Sequence, residues 1–389
     1  MRKKPVLAKK SLIRLGLAFY GNRFCKKQIN LVQDGSLSKI NPPYVVVANH
    51  SSFVDVGALI KMMYPHCANF VISETQKAKW PKLIDHFGVL PKKQFTVDMK
   101  LLSDIKYCLQ NKRPVVIYPE AKLSVVGVPN VIKPSVAKLI KMFKVPLVTV
   151  CFHGSYLHKP RWANSKRFLP VTADVKLAVD AEEAKSISAA EIHDRIVNNL
   201  RFDDYAYQLE NAIEIDVPDL VEGLENVLYK CPECGEEFAM TGHGNTLACA
   251  KCGKTVTMNK YGQLEGGKFD KVADWYYWQT DCVRSQLEKG EYAFDKEFFA
   301  QKLVGKKYLD LGTARIVHDD NGITAVLKNE TLHYPAGMFY TLSFNNDFVY
   351  LPTAQAVYRF RRLTDTGCTT KLNLAVEQQT ALRETSHKD

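Results

Sequence analysis

No stretch of this 389-residue chain approaches the ~20 consecutive apolar positions that a helix needs to cross a bilayer, so no transmembrane span is expected. The apolar segment 12–20 is interrupted by Arg14 and is followed by no small-residue cleavage pattern, so no secretory signal is expected either. A disulfide framework is also missing. Of the ten cysteines, Cys25, Cys67, Cys108, Cys151, Cys282 and Cys368 are scattered without regular spacing, which fits a reducing, cytoplasmic environment. The chain has no internal repeat and no nucleic-acid-binding motif, so nucleic acid is not expected as a partner. What it has in quantity is apolar side chains, 46% of the total, which excludes a disordered protein and suffices for two or three domains.

Acidic residues are absent from one region in particular. None precedes Asp34, whereas the first 33 residues carry nine Lys and Arg. Residues 1–200 hold 32 basic and 13 acidic side chains, a net +19; residues 201–389 hold 21 and 28, a net −7. In the segment 1–33, Leu12, Ile13, Leu15, Leu17, Phe19 and Tyr20 are interleaved with Lys9, Lys10 and Arg14. A short cationic, apolar helix of this kind can lie in the interface of an anionic membrane. The same pattern also suits a helix packed on its own domain with solvated lysines.

The least accidental pattern is a pair of cysteine doublets, Cys231-Pro-Glu-Cys234 and Cys249-Ala-Lys-Cys252, each followed by Gly and separated by 14 residues. Two C-x2-C turns facing each other close a tetrahedral sulfur shell, which suits structural zinc. Four thiolates leave no open coordination position, so a catalytic metal is not expected.

Upstream of the doublets, short β-branched runs alternate with helical patterns. Strands are expected at 44–49 (YVVVAN), 69–73, 114–118 (PVVIY), 146–152 and 171–179. Helices are expected at 54–64, 78–87, 97–110, around 136–143 and around 189–207. This alternation implies an α/β domain, a layered mixed or mainly parallel sheet with helices. Downstream of the doublets, 272–287 reads as a helix with Trp275, Tyr276, Tyr277 and Trp278, suited to packing against the ribbon or to touching lipid. Beyond Gly305 the pattern becomes β-rich, with a hairpin signal at Asp319-Asp320-Asn321-Gly322. From about Glu377 the chain reads as polar and frayed. The expected domains are a basic amphipathic segment 1–33, an α/β domain 34–210, a zinc ribbon 225–262, a helix plus β-rich domain 263–376 and a tail 377–389.

His50 and Asp55 form H-x4-D directly after the YVVVAN strand. On a continuous helix, five residues leave the two side chains about 140° apart. They can meet only across a change of chain direction, where the carboxylate would accept the imidazole Nδ1–H and leave Nε2 as a base. Ser52-x-x-Asp55 is equally a capping box, and His50 could simply end its strand. Three further segments follow in order: Phe87-Gly88-Val89-Leu90-Pro91-Lys92-Lys93, Tyr118-Pro119-Glu120-Ala121-Lys122-Leu123-Ser124, and Val145-Pro146-Leu147-Val148-Thr149-Val150. Over residues 40–155 the series resembles the four ordered blocks of the glycerolipid acyltransferase family, which includes 1-acylglycerol-3-phosphate acyltransferases. The longer chain, with ribbon and β-rich tail, is similar to a bacterial branch of that family.

The resemblance implies a general-base O-acyltransferase. His50 would deprotonate an acceptor hydroxyl, Asp55 would hold the imidazole, and Glu120 would position the acceptor. The donor would be an acyl-carrier protein or CoA thioester, or an acyl phosphate, and the acceptor a lysophospholipid, foremost 1-acylglycerol-3-phosphate. The enzyme would sit peripherally on the inner face of the cell membrane. The sequence departs from the family where Lys92 and Lys93 stand for the usual Arg, and where EAKLS replaces EGTRS. Lys92, Lys93 and Lys122 would then form the anion site, as point charges without the bidentate fork of Arg, or they are solvated surface lysines. The substitutions leave room for a glycolipid or other lipid hydroxyl as acceptor, or for a non-catalytic zinc-ribbon binding protein with a decayed domain.

Overall fold

The computed structural model describes residues 4–20, 33–34, 37–74, 77, 82–92, 98–305, 307–353 and 355–386. They form two compact units, residues 1–160 with 166–213 and residues 161–165 with 214–389.

The first unit is built on a seven-stranded sheet of β1 (Gln33–Asp34), β2 (Val45–Ala48), β3 (Asn69–Ser73), β4 (Val89–Lys92), β5 (Val115–Ile117), β6 (Leu147–His153) and β7 (Thr172–Val179). Its order is β1-β7-β6-β2-β5-β3-β4, parallel throughout except between β6 and β7. All four residues of β2 are buried, as the centre of a sheet covered on both faces requires. Alternate residues go to opposite layers. Val45 and Val47 join Val115, Ile117 and Leu147 against helices Met99–Gln110, Ser135–Phe143 and Ala189–Asn199. Val46 and Ala48 join Val116, Val148 and Val150 against helix Val54–Met63.

Helix Lys10–Tyr20 lays Ile13 against Ala8 and Cys67 and leaves Lys9, Lys10, Arg14 and Leu15 exposed. The helix expected over 189–207 is broken into two. Leu200 ends the first, and Asp203 caps Asp204–Glu210 by accepting from the N–H groups of Tyr205 and Ala206. The segment expected to be helical over 78–87 is a 3-10 helix at Lys82–Phe87, with 78–81 outside the described residues.

The second unit holds a four-stranded ribbon sheet, order β11-β10-β9-β8, from β8 (Met240–His243), β9 (Thr246–Cys249), β10 (Thr255–Met258) and β11 (Leu264–Glu265). Trp275, on helix Val272–Glu288, is buried and donates through Nε1 to the Lys230 carbonyl at the start of the ribbon, so this part of the aromatic cluster is core. A seven-stranded antiparallel sheet follows, β12 (Phe294–Val304) to β18 (Val357–Arg362), with the anticipated hairpin pairing Asp319 with Gly322.

Residues 387–389 of the expected tail lie outside the described residues, and 377–386 are not frayed. Helix Cys368–Ser386 runs through them, with Leu372, Leu374 and Ala375 buried. Its polar residues misled the reading because they are spent on internal bonds. Gln379 donates to the Asp319 carbonyl at 2.8 Å and lies 3.3 Å from His318 Nε2. Burial pushes the His318 imidazole down to about 4, so it is neutral at ordinary pH and Nε2–H donates to the amide oxygen. Gln379→Ala leaves the buried His318 Nε2–H unpaired and should cost about 1–3 kcal/mol, read as a lower midpoint in urea. A frayed tail would show no change.

Candidate active site

Three adjacent strands, β5, β2 and β6, end on the same side of the sheet and deliver the groups that surround His50. The crevice beyond the carboxyl ends of parallel strands is where open α/β sheets place their ligands. Asn49, fully buried, ties two of these ends together. Its amide oxygen accepts from Phe152 N–H at 2.7 Å and its amide nitrogen donates to the Phe152 carbonyl at 2.8 Å.

His50 is then held by both its backbone groups. Its N–H donates to Glu120 Oε1 at 3.0 Å, and its carbonyl accepts from Ser124 N–H at 2.8 Å. The imidazole stacks on the Tyr118 ring, with centroids 4.1 Å apart and planes at 23°. Its Nδ1 lies 3.3 Å from Asp55 Oδ2, and the side chain keeps 18% of its surface exposed. That contact requires the proton on Nδ1 and leaves the Nε2 lone pair available as a base.

The chain reverses at residues 51–53, which brings Asp55 back onto His50. Asp55 sits in the first turn of helix Val54–Met63 and is fully buried. Its Oδ2 accepts from the N–H groups of Ser51 (2.8 Å) and Ser52 (3.0 Å), while Ser52 Oγ accepts from Val54 N–H at 3.2 Å. One half of the expected capping box, Ser52 N–H to Asp55, thus falls on the carboxylate oxygen that also faces His50. The second Asp55 oxygen, Oδ1, accepts from the hydroxyl of Ser155.

Glu120 is buried behind this turn. Besides His50 N–H, its carboxylate accepts from the backbone and side-chain nitrogens of Asn130, at 2.7 and 2.9 Å. Burial pushes its carboxyl up to about 7, against the pull of these N–H donors. Its contacts in this structure are with the turn itself. Next to it, Ala121 has φ = 61°, the left-handed region, at the position where the family block has Gly.

Two of the three candidate anion-site lysines lie among the described residues. Lys122 is half-buried in the turn after β5. Lys92 ends β4, two strands beyond β5 and thus about 10 Å across the sheet. Burial lowers the Lys92 pKa, opposed by the charge of Asp98. Lys93 lies outside the described residues.

Sequence reasoning missed Tyr118, Ser155 and Asp204. The last is fully buried, and its two oxygens accept from Gly154 N–H (2.9 Å) and Tyr156 N–H (2.7 Å), fixing the turn that carries Ser155. Burial pushes its carboxyl up to about 7. No local pattern joins residues 100 positions apart.

Residues 24–153 match the acyltransferase family model. The first unit carries an acyltransferase-family domain. Residues 222–258 match the model of ribosomal protein S27a. Among solved structures, the chain is similar to the 1-acyl-sn-glycerophosphate (LPA) acyltransferase PlsC from Thermotoga maritima. The two are 18% identical, the match covers 49% of this chain and 80% of that one, and the TM-score is 0.38. No curated protein matches.

In the second unit, Cys231, Cys234, Cys249 and Cys252 place their sulfurs within 4.8 Å of one another. The Cys231–Cys252 and Cys234–Cys249 sulfurs are 3.8 Å apart, close to the edge, about 3.8 Å, of a tetrahedron with 2.3 Å metal–sulfur bonds. Gly235 and Gly253, both at φ = 75°, donate back to the carbonyls of Cys231 and Cys249 and close the two metal-binding turns.

Ala121 gives a test of the acyltransferase turn. An L-residue held left-handed costs about 1–2 kcal/mol, part of which Gly would give back in unfolded-state entropy. Ala121→Gly should raise stability by about 0.5–1 kcal/mol in a denaturant melt, whereas Gly at a right-handed position would lower it.

Proposed function

We propose that the first unit transfers a fatty acyl group to a lipid hydroxyl by general-base catalysis, with His50 as base and Asp55 as its partner. The observation that carries this reading is the His50–Asp55 pair, at 3.3 Å, at the carboxyl end of β2 within an acyltransferase-family domain. Nε2 takes the proton of the acceptor hydroxyl as its oxygen attacks the acyl carbonyl. Asp55 stabilises the imidazolium. The tetrahedral intermediate then collapses, the bond from carbon to the leaving group breaks, and the imidazolium returns the proton to the departing thiolate or phosphate. Glu120 acts here through the backbone of His50, holding the base in place.

The favoured acceptor is a lysophospholipid such as 1-acylglycerol-3-phosphate, its phosphate met by Lys92, Lys93 and Lys122. The donor is an acyl-carrier protein or CoA thioester, or an acyl phosphate. Leu123, where the family block has Arg, favours a second reading in which the same chemistry serves a glycolipid or another less strongly anionic lipid. The exposed Lys9, Lys10, Arg14 and Leu15 suit contact with an anionic membrane from the cytoplasmic side. No described helix is long and apolar enough to cross a membrane. The four-cysteine centre is assigned to structural zinc, which would stabilise the ribbon and take no part in the reaction.

His50→Ala should lower acyl transfer to lysophosphatidic acid by about 10²–10⁴-fold with an unchanged melting temperature. A folded variant of full activity would sink the mechanism, and activity only with a glycolipid acceptor would select the second reading. For the ribbon, zinc analysis should give one ion per chain. Cys234→Ser should lose that ion and unfold the ribbon locally, because metal binding contributes directly to folding free energy.

A further inference from the structure

Asp55 is tied to the sheet from two directions, and only one of them belongs to its own helix. Ser51 and Ser52 hold Oδ2 from the turn before it. The other oxygen is held from β6, one strand away, where the chain turns through Gly154 at φ = 75° into the short helix Ser155–His158. Ser155 is fully buried, its hydroxyl donates to Asp55 Oδ1, and its oxygen lies 3.5 Å from Ser52 Oγ. The turn is itself anchored. Asp204, also fully buried, accepts from the N–H groups on either side of Ser155. A buried carboxylate, a left-handed glycine and a buried hydroxyl thus converge on one oxygen of a second carboxylate whose other oxygen faces the imidazole.

We propose that Ser155 is a positioning residue for the reaction, fixing the rotation of the Asp55 carboxylate and setting the basicity of His50 through it. This rests on the acyl-transfer reading only for its consequence in catalysis. The hydroxyl stabilises the Asp55 charge. Without it, Asp55 is a stronger base, holds the imidazolium more tightly, and leaves less neutral imidazole to accept a proton. Ser155 is fully buried, so its oxygen is not presented to a substrate as a nucleophile. The other groups around the pair are Tyr118, stacked on the imidazole, Glu120, which accepts from His50 N–H, Asp204 behind the turn, and His158 at the end of the short helix. The donor to Oδ1 in this structure is Ser155.

The test is an NMR titration of His50 in the full-length protein, assigned by comparison with His50→Ala, alongside the pH dependence of kcat. In Ser155→Ala the His50 midpoint should rise by roughly one pH unit. The acid limb of kcat should move with it, so that activity at low pH falls up to about tenfold while KM is unchanged. Ser155→Thr, which restores the hydroxyl, should return both. A merely structural role would scale activity equally at every pH and leave the titration in place. The proposal is overturned if His50 in folded Ser155→Ala titrates as in the wild type, or if a folded Ser155→Thr behaves like Ser155→Ala. The titration needs no substrate. A shifted midpoint in a protein that transfers no acyl group would therefore uphold the positioning role and remove the acyl-transfer reading instead.

Discussion

The Asp55 carboxylate is the constraint on which the first unit's chemistry turns. An ionised side chain with no solvent exposure is tolerable only if donors surround it, and Asp55 has them from Ser51, Ser52, Ser155 and His50. Each donor comes from a different requirement of the fold. Two are N–H groups of the turn that precedes the helix, one is a hydroxyl carried just beyond the end of β6, and one is the imidazole. The same bonds that make the helix start tolerable aim His50. Turn bonding and pairing with the imidazole are alternatives in a sequence, but a single carboxylate does both here.

The sheet supplies the rest. Because β2 is flanked by β5 on one side and β6 on the other, the turns at their carboxyl ends must meet around His50. Asn49 bonds to β6, Glu120 bonds back from β5, and Tyr118 covers the imidazole face. His50 is held by backbone bonds and stacking rather than by its contact with Asp55 alone. Such preorganisation removes the need to order the site as the reaction proceeds.

The second unit follows another logic. Its ribbon is small, and its four cysteine sulfurs stand at the spacing of a tetrahedral metal site. The antiparallel sheet is closed off by helix Cys368–Ser386, whose polar residues Gln379 and Thr380 are consumed by β-sheet and loop carbonyls. Polar composition made that helix look like a tail. Amphipathic reasoning fails when the buried face of a helix is itself polar and satisfied.

Local pattern was enough for five of the seven strands and most helices of the first unit, because fully buried β-branched runs such as Val45–Ala48 have no other stable use; the edge strands β1 and β4 were not read. It was also enough for the cysteine turns, where spacing alone brings ligands together, and for His50 and Asp55, which stand five residues apart. Ser155, Asp204 and the split of the helix at Asp203 were illegible, since each depends on partners brought close by strand order. So was the placing of Lys92 at the end of β4 and of Lys122 in the turn after β5, two strands away in the sheet order. The sequence by itself determined which residues could do chemistry and which segments would be strands. Only the tertiary structure decided which oxygen of Asp55 faces the imidazole and what holds the other, because hydrogen bonds between residues 100 positions apart exist only once the sheet has set its strands side by side.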